Sequence, residues 1–236
     1  MKKQILLLIL LATVFGCSYL QAQSYAKVPY FCDFEDSVEN ANWNTPFAAY
    51  TTPYHDDKWR IGTYVYYSGT QSMYVSYNGG ATNLTGTSNF DGFDRYNRVW
   101  AYREFNIDTL YPQYNISFKH RGYEHCTAFF GPPDNSPFNS VLSSTISTPE
   151  GAIRLSSSQS LPQDSVWMEH GYTFSVDTPG IYRLYFSWYT VNNNGRPGAS
   201  IDDISITGVY CLPPNILTST NITDSSATLS WQHDCV

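Results

Sequence analysis

Two adjacent carboxylates interrupt an otherwise β-branched run, Ser200-Ile201-Asp202-Asp203-Ile204-Ser205-Ile206-Thr207. The run reads as a strand, since four of its eight positions are Ile or Thr. Its alternation is broken. Ile204 and Ile206 share a face with Asp202, whereas Ile201 shares the other face with Asp203. Either a bulge lies between Ile201 and Ile204 and both carboxylates stay wet, or one carboxylate points at the core. A buried carboxylate needs a partner, because an unpaired buried charge costs several kcal/mol. Calcium, which takes oxygen ligands, is one natural partner.

Other residues offer different chemistry. His120-Arg121-Gly122-Tyr123-Glu124-His125-Cys126 gathers His, Glu and Cys. In a regular strand His120 and His125 fall on opposite faces, and the helical H-E-x-x-H spacing of a zinc protease is absent. The stretch therefore reads as a solvated hairpin. Asp56-Asp57 is a carboxylate pair, but neighbours on a strand diverge. With no G-x-S-x-G elbow, P-loop or zincin motif, no enzyme activity is expected. The chain has 20 Tyr and is 17% aromatic. Rings with a polar handle stack on sugars and act as protein hot spots. Tyr64, Tyr66, Tyr67 and Trp188 are the candidate ligand-binding rings; the rival reading is that such rings fill the core. A loop over 79–97, with Asn83, Asn89, Asp91 and Asp94, adjoins them.

Strands must position these groups. Candidate strands are Val28–Glu35, Lys58–Gly62, Gln71–Tyr77, Val99–Phe105, Tyr114–Lys119, Tyr123–Phe130, Val166–Phe174, Ile181–Trp188 and Ser200–Thr207. Residues 36–57 read as a long polar loop and 138–165 as a Ser/Thr-rich one. Ile181–Trp188 carries apolar residues on both faces, so it is covered on both sides or one face binds something. Many short strands with turn signals and no amphipathic helix predict an all-β sandwich of two antiparallel sheets over 28–209. At Cys211-Leu212-Pro213-Pro214 the texture changes, and Asn215–Thr220 and Ser226–Trp231 read as two strands of a further, incomplete segment.

Export is the expectation from the N-terminus. Lys2 and Lys3 precede an apolar run from Ile5 to Phe15, short of the ~20 residues that span a bilayer. Cleavage is placed after Gln23, with lipid attachment at Cys17 as the rival. Losing Lys2 and Lys3 moves the formal charge from −7 to −9. So acidic a chain is expected to repel nucleic acid, and no membrane span is expected after the leader. Cys32, Cys126, Cys211 and Cys235 remain, with three full pairings open to them in an oxidising compartment.

Three stretches resemble one family. Cys32-Asp33-Phe34-Glu35 resembles the opening of MAM domains, and Ser68-Gly69-Thr70-Gln71-Ser72-Met73-Tyr74-Val75 resembles one of their strands. Ile201-Asp202-Asp203-Ile204-Ser205-Ile206 followed by Cys211 resembles their close. Gly180–Trp188 is similar to the penultimate strand of the cleaved-adhesin modules of gingipain-type proteases. Phe118-Lys119-His120-Arg121-Gly122 departs from the bacterial pattern, which carries Asp and Trp after Phe. The tail after Pro213 resembles the start of a fibronectin type III domain, with Trp231 as its strand-B tryptophan.

The resemblance implies an extracellular jelly roll for adhesion or recognition of glycans or extracellular proteins, without catalysis. It also implies structural calcium where the first and last strands meet, at Asp33, Glu35, Asp202 and Asp203. An alternative is an accessory domain of a larger secreted protease or glycoside hydrolase.

Overall fold

The computed structural model describes residues 24–46, 57–85, 97–108, 110–136, 148–156, 160–190, 195–209 and 215–232. The leader, Cys17, Asn89, Asp91, Asp94, Cys211 and Cys235 lie outside them. The strands are β1 (Tyr30–Cys32), β2 (Lys58–Gly62), β3 (Ser72–Ser76), β4 (Asn97–Ile107), β5 (Gln113–Gly122) and β6 (His125–Gly131). There follow β7 (Ile153–Arg154), β8 (Asp164–Phe174), β9 (Gly180–Thr190), β10 (Ser200–Val209), β11 (Asn215–Thr220) and β12 (Thr228–Gln232). One helical turn, α1 (Ser37–Asn40), starts where the Asp36 side chain accepts the N–H of Val38. It stands within the stretch expected as pure loop. No helix among the described residues is long and apolar enough to cross a membrane.

Strands β2-β3-β10-β5-β8 form one antiparallel sheet, with β1 added on β10. Strands β4-β9-β6-β7 form the other. From β3 to β6 successive strands alternate between sheets, and β9 and β10 return to lie inside β4-β9-β6 and β3-β10-β5. That is a jelly roll, in the all-β class that the strand spacing predicts. Strands β11 and β12 pair with each other as a separate two-stranded ribbon.

Alternation builds the core. In β5, Tyr114, Ile116, Phe118 and His120 are buried while Asn115, Ser117, Lys119 and Arg121 face outward. Facing them from β9 are Leu184, Phe186 and Trp188. Phe118 meets Phe186 edge-on across the layers, with centroids 5.2 Å apart and planes at 84°. Such rings bring about 1.5–3 kcal/mol each by burial.

Trp188 is therefore a correction. It is fully buried, and its indole N–H donates to the Tyr123 carbonyl at 3.1 Å, so it cannot meet a ligand. The core reading of this ring prevails because its β9 position is in phase with Leu184 and Phe186. The opposite face of β9 is also covered: Tyr185 packs with Trp100 and Phe129 in a second aromatic cluster. A charge faces the core as well. Arg103, 1% exposed, forks onto Glu39 of α1 at 2.6 and 3.1 Å and donates to the Ser24 carbonyl. A buried guanidinium survives only with such partners.

Candidate functional site

The register of β10 resolves the broken alternation. Pairing with β5 slips between Asp202 and Ser205, and Asp203 adopts φ 46° in that bulge. Ile201 and Ile204 are both fully buried. Asp202 is also fully buried, yet not in the core. It pairs with Lys119, an outward residue of β5, and so lies on the outer face of the six-stranded sheet. A bulge and a buried carboxylate coexist here.

What buries Asp202 is the 63–71 loop between β2 and β3. Asp202 Oδ2 accepts the backbone N–H groups of Tyr67 at 2.7 Å and Ser68 at 3.2 Å. Its Oδ1 accepts the N–H of Asp203 at 2.8 Å. Burial pushes the Asp202 carboxyl up to about 6, against the downward pull of these three donors. Ser68 Oγ donates to Asp203 at 2.6 Å. From the other end of the domain, Glu35 accepts the N–H groups of Thr70 and Gln71 at 2.6 and 2.7 Å and the Thr70 hydroxyl at 2.8 Å. The Thr70 N–H is the main reason that the Glu35 carboxyl sits below its usual range. Gly69 must be glycine: its φ is 61°, and a Cβ would stand 2.5 Å from a Glu35 oxygen.

The four carboxylates expected to share a calcium ion thus serve separate donors. Asp33 turns back on the Glu35 N–H at 3.1 Å. Among the described residues no three His, Cys, Asp or Glu side chains stand where they could hold one metal ion. The set does not fit calcium, because its oxygens point at backbone N–H groups and two hydroxyls.

The pinned loop carries the aromatic candidates. Tyr64, Tyr66 and Tyr67 are 53, 47 and 47% exposed, large values for rings. Tyr64 leans on Tyr74 of β3 with centroids 6.5 Å apart. Tyr67 meets Trp167 of β8 edge-on at 6.0 Å and 68°. Lys119 Nζ stands 4.7 Å from the Tyr67 ring and pairs with Glu169 at 2.9 Å, and that bond raises the lysine's pKa. The Arg121 guanidinium lies 5.9 Å from the Trp167 ring. Partly exposed rings beside cations and hydroxyls suit a polar ligand that has apolar patches.

Three sequence candidates are brought together here and one is not: the tyrosines share the loop, and Trp188 is in the core. Trp167 was missed. The signal for it was available in phase, since Trp167, Glu169 and Thr173 alternate outward against His170, Tyr172 and Phe174. Asn83 is a framing residue, with its amide donating to the Val75 and Gly198 carbonyls. His120 is not solvated: it is 1% exposed, beside His170 at 5.6 Å, and burial takes its pKa down to about 3. His125 is elsewhere, stacked on Tyr189 at 4.4 Å. Cys32 and Cys126 are buried free thiols.

No family model matches the chain, and no curated protein matches it. Solved structures do. The CBM22-1 xylan-binding domain of Paenibacillus barcinonensis Xyn10C is 10% identical with a TM-score of 0.44, over 78% of this chain and 97% of that one. A family 11 carbohydrate-binding module from Clostridium thermocellum, in complex with a mixed-linked tetrasaccharide, is 16% identical with a TM-score of 0.37, over 75% and 95%. The K2 cleaved adhesin domain of Lys-gingipain is 17% identical with a TM-score of 0.38, over 76% and 98%.

Proposed function

We propose that this chain is an exported recognition module that binds glycans on the outer face of its six-stranded sheet. Tyr64, Tyr66, Tyr67 and Trp167 are the contact rings. The observation that carries this reading is the half-exposed Tyr67 set against the partly exposed Trp167 of β8, with Tyr67 held on a loop whose backbone is tied at both ends by buried or engaged carboxylates. A preorganised ring loses little freedom on binding, so its contact area is converted into affinity. Export is supported by Lys2, Lys3 and the apolar run to Phe15. We read the β11–β12 ribbon as the first hairpin of a fibronectin-like segment, consistent with its pairing apart from both large sheets.

A glycan array probed with the purified chain tests the reading. Binding to at least one sugar class is expected, and Tyr67→Ala or Trp167→Ala lowers the affinity by about tenfold, or 1.4 kcal/mol, with the melting temperature kept. An array without signal, or variants that bind as well as the parent, would overturn it.

A further inference from the structure

The outer face that carries the rings also carries two guanidinium groups without an acceptor. Arg60 pairs across the strands with Tyr74, Tyr74 with Ser200, and Ser200 with Arg121. These residues form one row over β2, β3, β10 and β5. Trp59 and Ile61 turn inward on either side of Arg60, and His120 does so beside Arg121, so both arginines point out. Arg60 Nε, Ser200 Oγ and Arg121 Nε are all shielded from water, and none has a hydrogen-bond partner. Ser200 is fully buried and beyond the reach of a ligand, so the groups left to an acceptor from outside are the two partly exposed guanidinium forks.

The carboxylates nearby do not supply it. Glu169 is paired with Lys119, and Asp202 is committed to backbone N–H groups. Neither Arg60 nor Arg121 makes an ion pair among the described residues. The cations are out of keeping with a chain that has 20 acidic and 13 basic residues. Their positions on the strands lie about 14 Å apart, three interstrand steps, on either side of the Tyr74–Ser200 pair. Arg121 and Lys119 flank the Tyr67 and Trp167 rings directly.

We infer that the ligand is an acidic glycan, whose anionic groups reach Arg121, and Arg60 on the far side, while its ring faces lie on Tyr67 and Trp167. This rests on the glycan-binding reading above and narrows it to a charge class. A guanidinium fork donates to a carboxylate or a sulfate alike, so the shared chemistry is a planar or tetrahedral oxyanion on a sugar.

The test compares matched polymers by calorimetry on the whole exported chain. Polygalacturonate is set against its methyl ester, and dextran sulfate against dextran. The charged member of one pair is expected to bind about tenfold tighter than its neutral twin, with the gap closing between about 50 mM and about 0.5 M salt. Which pair shows the gap tells carboxylate from sulfate. Arg121→Gln narrows the gap, and Arg121→Lys, which keeps charge without the fork, narrows it less. Tyr67→Ala weakens both twins alike. Equal affinity for the twins at low salt overturns the charge class and leaves the ring-based reading standing. Absence of binding to all four polymers overturns the charge class, and the glycan array then decides the ring-based reading. Should either arginine variant misfold, the twin comparison on the unaltered chain still decides.

Discussion

The backbone N–H of Tyr67 donates to Asp202 Oδ2 at 2.7 Å across 135 residues of chain. A half-exposed ring of the candidate site is thus set by a carboxylate of the closing strand. Around this bond the 63–71 loop, the bulge of β10 and the Glu35 contact behave as one assembly.

Asp202→Asn tests the bond through pH. The folded-state pKa of Asp202, about 6, is above its ordinary value of 3.8. A raised value means that the folded state holds the proton more tightly. The contribution is fully present below about pH 4 and is lost as pH rises through about 6. The stability cost of Asp202→Asn is therefore expected to be largest near pH 4 and to shrink, by on the order of 2 kcal/mol, toward pH 8. Denaturant midpoints of the two proteins at each pH measure it; a cost that does not change with pH contradicts the assignment.

Gly69→Ala should loosen the loop. The added methyl meets the Glu35 carboxylate at a backbone angle that side chains avoid. A loss of about 1–3 kcal/mol is expected. Limited proteolysis should then nick the chain within 63–71, with the two large sheets surviving; an unchanged digest would show that the loop is held by other means.

Rings of the two classes should separate cleanly. Trp188→Ala removes a fully buried indole and should cost about 3–5 kcal/mol. Tyr67→Ala, at a half-exposed ring, should cost less than about 1 kcal/mol and yet lower glycan affinity. Melting curves beside binding titrations compare them.

Arg103→Ala should be among the most damaging changes of a charged residue. It leaves Glu39 with the Tyr30 hydroxyl but no cation, and frees the Ser24 carbonyl. Loss of about 3–5 kcal/mol is expected, and Arg103→Met combined with Glu39→Gln should recover part of it. A double change no better than the single one would place the contribution in packing.

The thiols of Cys32 and Cys126 should be silent in the native protein. Both are buried, and burial pushes Cys32 up to about 11 and Cys126 upward too. Only the thiolate reacts. Mass mapping after iodoacetamide at pH 8 should find both cysteines unlabelled until denaturant is added; native labelling would show that these sites open.

Strand existence was legible from local pattern. Phe118 and Ile116 alternate with Lys119 and Ser117, and Leu184, Phe186 and Trp188 keep one phase through β9, because a period of two is written in the chain itself. The turn of α1 and the two-residue β7 were too short for any period to show. The three tyrosines were legible as a cluster of rings, but their β-rich run reads as strand, whereas the structure holds them on the 63–71 loop.

Which rings face water was decided only by tertiary structure. Trp188 and Trp167 look alike in sequence, each in an aromatic strand. They differ because one face of β9 meets β5 across the core, while the outward face of β8 meets Tyr67 of the 63–71 loop at its Trp167. The same holds for Asp202 and Asp203. The chain by itself determined that an alternation had to break between Ile201 and Ile204. It could not say what the carboxylates would meet, because the donors lie 134 and 135 residues away and reach them only when β3 pairs with β10. Local spacing specifies faces; long-range pairing specifies partners, and the partners here are backbone N–H groups.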